Sequence, residues 1–146
     1  MQIFKFLFLL LVFFVMVGAK GQTVVVTKKL TIKITNIKEN NKILYVGIYR
    51  AGDDFPAFNK YWRNIKVPTS GSSEIVEFEV PVGEYAVAIS HDLNGNGKLD
   101  KNLFGYPKEP FGFSNNFKPK LSSPSFSDCK FTFNHANNTI SIKLID

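Results

Sequence analysis

Leu30, Ile32 and Ile34 alternate with Thr31, Lys33 and Thr35. A strict period of two is the spacing of a strand with one buried and one wetted face. The same rhythm returns in Ile43 to Arg50, where Leu44, Val46 and Ile48 oppose Ile43, Tyr45 and Tyr49. It returns again in Ile75 to Val80, where glutamates alternate with apolar residues. Glu84 to Ser90 is the most apolar of these segments and is expected at the centre of a sheet. Turn-forming clusters separate them: Asn36 to Asn41, Gly52-Asp53-Asp54, Ser70-Gly71-Ser72-Ser73 and Pro81-Val82-Gly83. Asn64 to Pro68 reads as a short edge strand. Asp128 to Phe133 and Thr139 to Leu144 read as a last pair, joined by the Asn-rich turn Asn134 to Asn138. With no persuasive amphipathic helix, the pattern predicts an all-β fold: an antiparallel β-sandwich of about seven strands, immunoglobulin-like or prealbumin-like.

Two stretches break the rhythm. Phe55 to Trp62 is aromatic-rich without a clean period, which predicts a loop or one helical turn packed over a sheet end. Lys101 to Ser127 is long, irregular and rich in Gly, Pro, Asn and Ser, and loops of this length are commonly functional or locally packed. Its aromatics, including Phe104, Tyr106, Phe111, Phe113, Phe117 and Phe126, are expected to tie it down.

The start of the chain speaks to compartment. One positive charge at Lys5 precedes the unbroken apolar run Phe6 to Val17, and small residues close it at Gly18-Ala19 and Gly21. This is the layout of a secretory signal peptide spanning residues 1–21, with cleavage after Ala19 or Gly21. Its uncharged part falls short of the roughly 20 residues that cross a bilayer. The expectation is an exported protein (periplasm, cell surface or extracellular) with a single domain over 22–146 and no transmembrane segment after processing.

Cys129 is the only cysteine, so no internal disulfide is available and packing must supply the stability. The alternation Cys129, Phe131, Phe133 predicts a buried thiol on an apolar strand face. The net charge of +6 is spread over scattered lysines. A nucleic-acid surface would cluster them with exposed aromatics, so a nucleic-acid partner is not expected.

The most chemically loaded segment is His91-Asp92-Leu93-Asn94-Gly95-Asn96-Gly97-Lys98-Leu99-Asp100. It matches the first nine positions of a calcium-binding loop, in which oxygens at every second residue converge on one hard cation. Asp92, Asn94, Asn96, the carbonyl of Lys98 and Asp100 would be the ligands, and calcium is the one cofactor the pattern points to. Leu103 stands where the completing bidentate acid belongs, which places affinity at about 10⁻⁴ to 10⁻³ M or weaker, unless Glu109 or Asp128 folds back. The other reading is a turn whose Asn, Asp and Gly residues satisfy each other. Both stay open at this point. His91 beside Asp92 suggests an acid–base pair, but strand neighbours point to opposite faces, and a surface histidine is the expectation. No catalytic constellation is evident.

From Gly83 onward the chain resembles the bacterial exported family known as domain of unknown function 2141. The residues that carry the resemblance are Gly83-Glu84-Tyr85-Ala86-Val87, His91-Asp92, Asn94, Asn96-Gly97-Lys98-Leu99-Asp100 and Asn102. They continue through Gly105, Pro107, Glu109-Pro110, Gly112-Phe113-Ser114-Asn115-Asn116, Pro124, Phe126 and Asp128. The resemblance implies a small secreted β-sandwich of the prealbumin or carboxypeptidase-regulatory type, and it implies no activity. It suggests that the Asp92 loop and Glu109 to Asn116 form one surface feature.

Together these readings predict a non-enzymatic exported module that binds a protein or a glycan, calcium-stabilised or not, through a surface of His91, Tyr106, Glu109, Phe111, Phe113 and Asn115. The alternatives are a hydrolase-like enzyme in which His91, Asp92 and Glu109 converge, and a structural component of the cell envelope.

Overall fold

The computed structural model describes residues 25–146, so the apolar leader lies outside the described residues. Eight strands run in the order β1 (Thr27–Thr35), β2 (Ile43–Tyr49), β3 (Arg63–Pro68), β4 (Ser73–Pro81), β5 (Gly83–Asp92), β6 (Phe111–Phe113), β7 (Phe131–Phe133) and β8 (Thr139–Lys143). A single helical turn, α1 (Phe126–Cys129), precedes β7. Three strands form one sheet in the order β4-β1-β8. Five form the other, in the order β3-β2-β5-β6, with β7 also paired to β5.

The alternating residues decide which faces meet. Leu30, Ile32 and Ile34 of β1, with Val76, Phe78 and Val80 of β4, pack against Leu44, Val46 and Ile48 of β2 and against Val87 and Ile89 of β5. Residues from both sheets thus share one core, the two-layer arrangement expected of a sandwich. It is compatible with a prealbumin-like domain. Polar partners such as Lys29 and Glu77 face solvent on the other side of β1 and β4.

Most segments lie where the alternation puts them, including the edge strand β3 and the central strand β5. Two expectations are corrected. The sandwich is not wholly antiparallel, because β8 runs parallel to β1, with Ile32 beside Ile140 and Ile34 beside Ile142. Parallel neighbours need a long crossover, and the chain between β1 and β8 supplies one. The segment from Asp128 is not all strand either. Ser125 and Asp128 form a capping box that starts α1, so Cys129 ends a helical turn instead of sitting on a strand. Its thiol is still fully buried, and burial pushes its pKa up to about 12.

Ser114 couples this helix to the sheet. It is fully buried; its hydroxyl donates to the carbonyl of Cys129 at 2.6 Å and accepts from the backbone N–H of Val87 at 2.9 Å. One short side chain therefore satisfies two buried backbone groups that no ladder reaches. Among the described residues no helix is long and apolar enough to cross a membrane.

Candidate functional site

The outward face of the five-stranded sheet is where the structure departs most from an ordinary sandwich. Register places Tyr45 opposite Ser90, Gly47 opposite Ala88 and Tyr49 opposite Ala86. On the far side of β5, Ala88 faces Phe113 and Ser90 faces Phe111. The middle of this face is therefore built from small residues, and aromatics stand at its margins.

The aromatic-rich segment after β2 folds over that face rather than over a sheet end. Phe58 meets the Tyr45 ring edge-on at 5.3 Å, and Phe55 meets Tyr49 at 5.0 Å and Phe113 at 5.9 Å. Tyr61 closes on Gly47, where even a single added methyl carbon would lie 2.6 Å from its ring. Tyr49 donates its hydroxyl to the Ala57 carbonyl at 2.9 Å, and burial raises the pKa of both Tyr49 and Tyr61. Both phenols stay neutral over the working range of pH.

Between the sheet and these loops lies a cleft of about 420 Å³. Its floor includes Gly47, Ala88 and Ser90, and Tyr106, Phe111 and Phe113 form one wall. Phe104 and Leu121 also line it, although they are 93% and 101% exposed. Lys101 and Lys120 are the charged residues of the lining, and none of the described lining residues is acidic, Asn or Gln.

The Asp92 loop leads directly into this wall. Asp92 is buried, and its carboxylate accepts from Gly95 N–H at 2.7 Å and Gly97 N–H at 2.8 Å. Both glycines hold positive φ, 74° and 70°, which residues with a Cβ adopt at a cost. Asn94 and Asn96 direct their amide N–H groups to one Asp100 oxygen at 2.6 and 2.8 Å. Their own side-chain oxygens accept from Asn96 N–H and Lys98 N–H. Glu109 does fold back, but onto the backbone: it accepts from Leu93 N–H at 2.9 Å and Asp100 N–H at 3.4 Å. Asp128 is elsewhere, capping α1.

Side-chain oxygens of Asp92, Asn94, Asn96 and Asp100 are thus engaged by the loop's own N–H groups. Among the described residues no group of three His, Cys, Asp or Glu side chains is arranged to hold a metal. Beyond Asp100, Asn102 accepts from Phe104 N–H and Tyr106 N–H, and Lys101 bridges to Pro107. This small tied turn presents Phe104 and Tyr106 to the cleft.

Of the expected surface of His91, Tyr106, Glu109, Phe111, Phe113 and Asn115, three residues, Tyr106, Phe111 and Phe113, line the cleft, and the other three do not. Tyr106 and Asn115 have exposed area, whereas His91, Glu109, Phe111 and Phe113 are buried. His91 lies on the inward face of β5, next in alternation after Val87 and Ile89, and is 1% exposed. Its Nε2 has no hydrogen-bond partner. Burial holds its pKa below the usual value, against the opposing pull of Glu39, Glu109 and Asp92. Of the residues that line the cleft, Gly47, Ala88, Ser90, Lys101 and Lys120 went unread as site residues. A glycine between two tyrosines inside a strand was the available signal, since such a glycine marks close approach by another group.

Fold and site together define a small two-sheet β-sandwich with a roofed outer face. The family model described as "Uncharacterized protein conserved in bacteria (DUF2141)" matches residues 32–141, and the chain belongs to that family. No curated protein and no solved structure matches the chain.

Proposed function

We propose that this protein is an exported, non-enzymatic binding module whose ligand occupies the cleft over the outer face of the five-stranded sheet. The observation that carries the reading is the pair of small residues Ala88 and Ser90 beneath a ring of aromatics, beside Gly47, which admits the Tyr61 ring. Protein interiors close such gaps, because an unfilled apolar space forfeits packing. Here larger side chains at positions 88 and 90 would fill it, and β5 carries only Ala88 and Ser90 there. The volume of about 420 Å³ lies in the range of small-molecule sites. Exposed Phe104 and Leu121 at the rim add apolar surface of the kind that marks a binding region.

The hydrolase alternative needs His91, Asp92 and Glu109 to meet at an open cleft. None of the three lines it, and both carboxylates are engaged by backbone N–H groups. That weighs for a non-enzymatic role. The same hydrogen bonds support the satisfied-turn reading of the Asp92 loop over the calcium reading, with the loop serving to position the Phe104–Tyr106 wall.

The test is titration with 1-anilinonaphthalene-8-sulfonate and, separately, with uncharged N-phenyl-1-naphthylamine. Saturable one-to-one fluorescence enhancement is expected, and it should disappear in Ala88→Leu, whose side chain would enter the cleft. Binding that survives Ala88→Leu unchanged would remove the cleft as the site.

A further inference from the structure

We infer that the cleft takes a single-chain amphiphile with one anionic head, its apolar body over Ala88 and Ser90 and its head at Lys101 and Lys120. The inference rests on the binding-module reading and adds the chemistry of the ligand. The lining is the warrant. Recognition of a glycan stacks the sugar on an aromatic ring, but it also needs side-chain acceptors and amides for the hydroxyl groups. None of the described lining residues is Asp, Glu, Asn or Gln, so aromatic platforms are present without the groups that would read a sugar. The polar side chains that line the cleft are Tyr and Ser hydroxyls and two lysines.

The charges agree. Lys101 and Lys120 have no salt-bridge partner among the described residues, and no acid in the described lining offsets them. A third cation, Lys66, holds its Nζ 5.0 Å over the ring of Tyr45, which itself lines the cleft. Low-dielectric aromatic walls strengthen the field of such charges at the mouth. A cationic head would meet repulsion there, and a neutral one would gain nothing. The exposed Phe104 and Leu121 extend the apolar surface outward, as suits a chain longer than the cleft is deep.

The experiment displaces N-phenyl-1-naphthylamine with three ten-carbon ligands below their micelle-forming concentrations: decanoate, decanol and decyltrimethylammonium. Decanoate is expected to bind at least tenfold more tightly than decyltrimethylammonium, with decanol between them. The decanoate advantage should shrink as salt rises, since exposed charges are screened. Along the series of shorter carboxylates, affinity should rise about fourfold for each added methylene, the factor that corresponds to burying one. In the double variant Lys101→Ala/Lys120→Ala the discrimination among the three heads should fall severalfold, with Lys66 left as the remaining cation, while the uncharged reporter still binds. Lys33→Ala, on the opposite sheet, should change nothing. Equal affinity for all three heads in the unmodified protein, or unchanged discrimination in the double variant, overturns the anionic-head inference and leaves the cleft standing. Failure of the uncharged reporter and of all three ligands to bind overturns both.

Discussion

On the inward face of β2 and β5, Leu44, Val46 and Ile48 stand opposite His91, Ile89 and Val87. One residue along, on the outward face of the same two strands, Tyr45, Gly47 and Tyr49 stand opposite Ser90, Ala88 and Ala86. The first set is aliphatic but for its last rung, and it meets a second sheet whose aliphatic residues fill the space between. The second set alternates aromatic with small, and what meets it is loop. A sheet packed on a sheet must be complementary along its whole length, so large and small side chains interdigitate and leave no room. A sheet covered by loops can leave room, because the loop ends are set by hydrogen bonds of their own, such as those of Asn102 and Glu109. The inner face therefore carries stability, and the outer face has the shape of a site.

The widest separation between the faces should appear when each is resized. Leu44→Ala removes a fully buried side chain from the inner face and is expected to cost about 2–5 kcal/mol. Ala88→Leu adds volume to the cleft and should shift stability by less than about 1 kcal/mol, because the space already exists. Denaturant unfolding of both variants measures this. Equal losses would mean that the outer face is packed as tightly as the inner one.

Ser114 tests whether the outer layer is fixed or merely laid on. Ser114→Ala leaves the Val87 N–H and the Cys129 carbonyl without their partner in a fully buried place. A loss of about 1–3 kcal/mol is expected. The Cys129 thiol, whose pKa stands near 12 in the folded protein, should then react faster with a disulfide reagent at equal denaturant. An unchanged thiol rate would show that α1 is held by its aromatic neighbours alone.

A smaller effect is expected from Gly47→Ala. The new methyl group would lie 2.6 Å from the Tyr61 ring and 3.1 Å from its Cβ. Tyr61 belongs to a loop that can yield, so the cost should be about 1 kcal/mol, at the low end for overpacking. Amide exchange should locate the loosening in residues 55–62 and not in β2. Loosening of β2 itself would show that the loop is the more rigid partner.

The inner face was legible in the sequence because burial against a flat partner imposes a period of two, and Leu30-x-Ile32-x-Ile34 or Leu44-x-Val46-x-Ile48 display it openly. The outer face obeys a different condition. What matters there is which small residue comes to lie beside which aromatic across strands, and Gly47 and Ala88 are 41 positions apart. The parallel pairing of β8 with β1 was hidden for the same reason, since alternation fixes a strand's faces and not its neighbour's direction. The Asp92 loop shows the converse. Its spacing was plain, but whether its oxygens turn to a cation or to its own N–H groups depends on where Glu109 and the Asn amides settle. The partial reading of His91 failed on burial: the strand extends two residues beyond Ser90, which carries the ring into the end of the core.

That histidine is the one polar rung on the inner face of β5, and it gives the smallest of the expected effects. Burial lowers the folded-state pKa of His91 below the 6.5 of an unfolded chain, with Lys42 adding to the shift and Glu39, Glu109 and Asp92 opposing it. As pH falls, the unfolded chain therefore takes up a proton before the folded one does. The stability associated with neutral His91 is complete above pH 6.5 and is lost as pH drops from there toward the folded pKa. A single group of this kind limits the slope to about 1.4 kcal/mol per pH unit. Chemical unfolding between pH 7.5 and 5 should show a decline in the unmodified protein that is shallower in His91→Gln, which cannot charge. Parallel declines in the two proteins would show that His91 does not carry the acid sensitivity, and the inner face of β5 would lose its one pH-dependent rung.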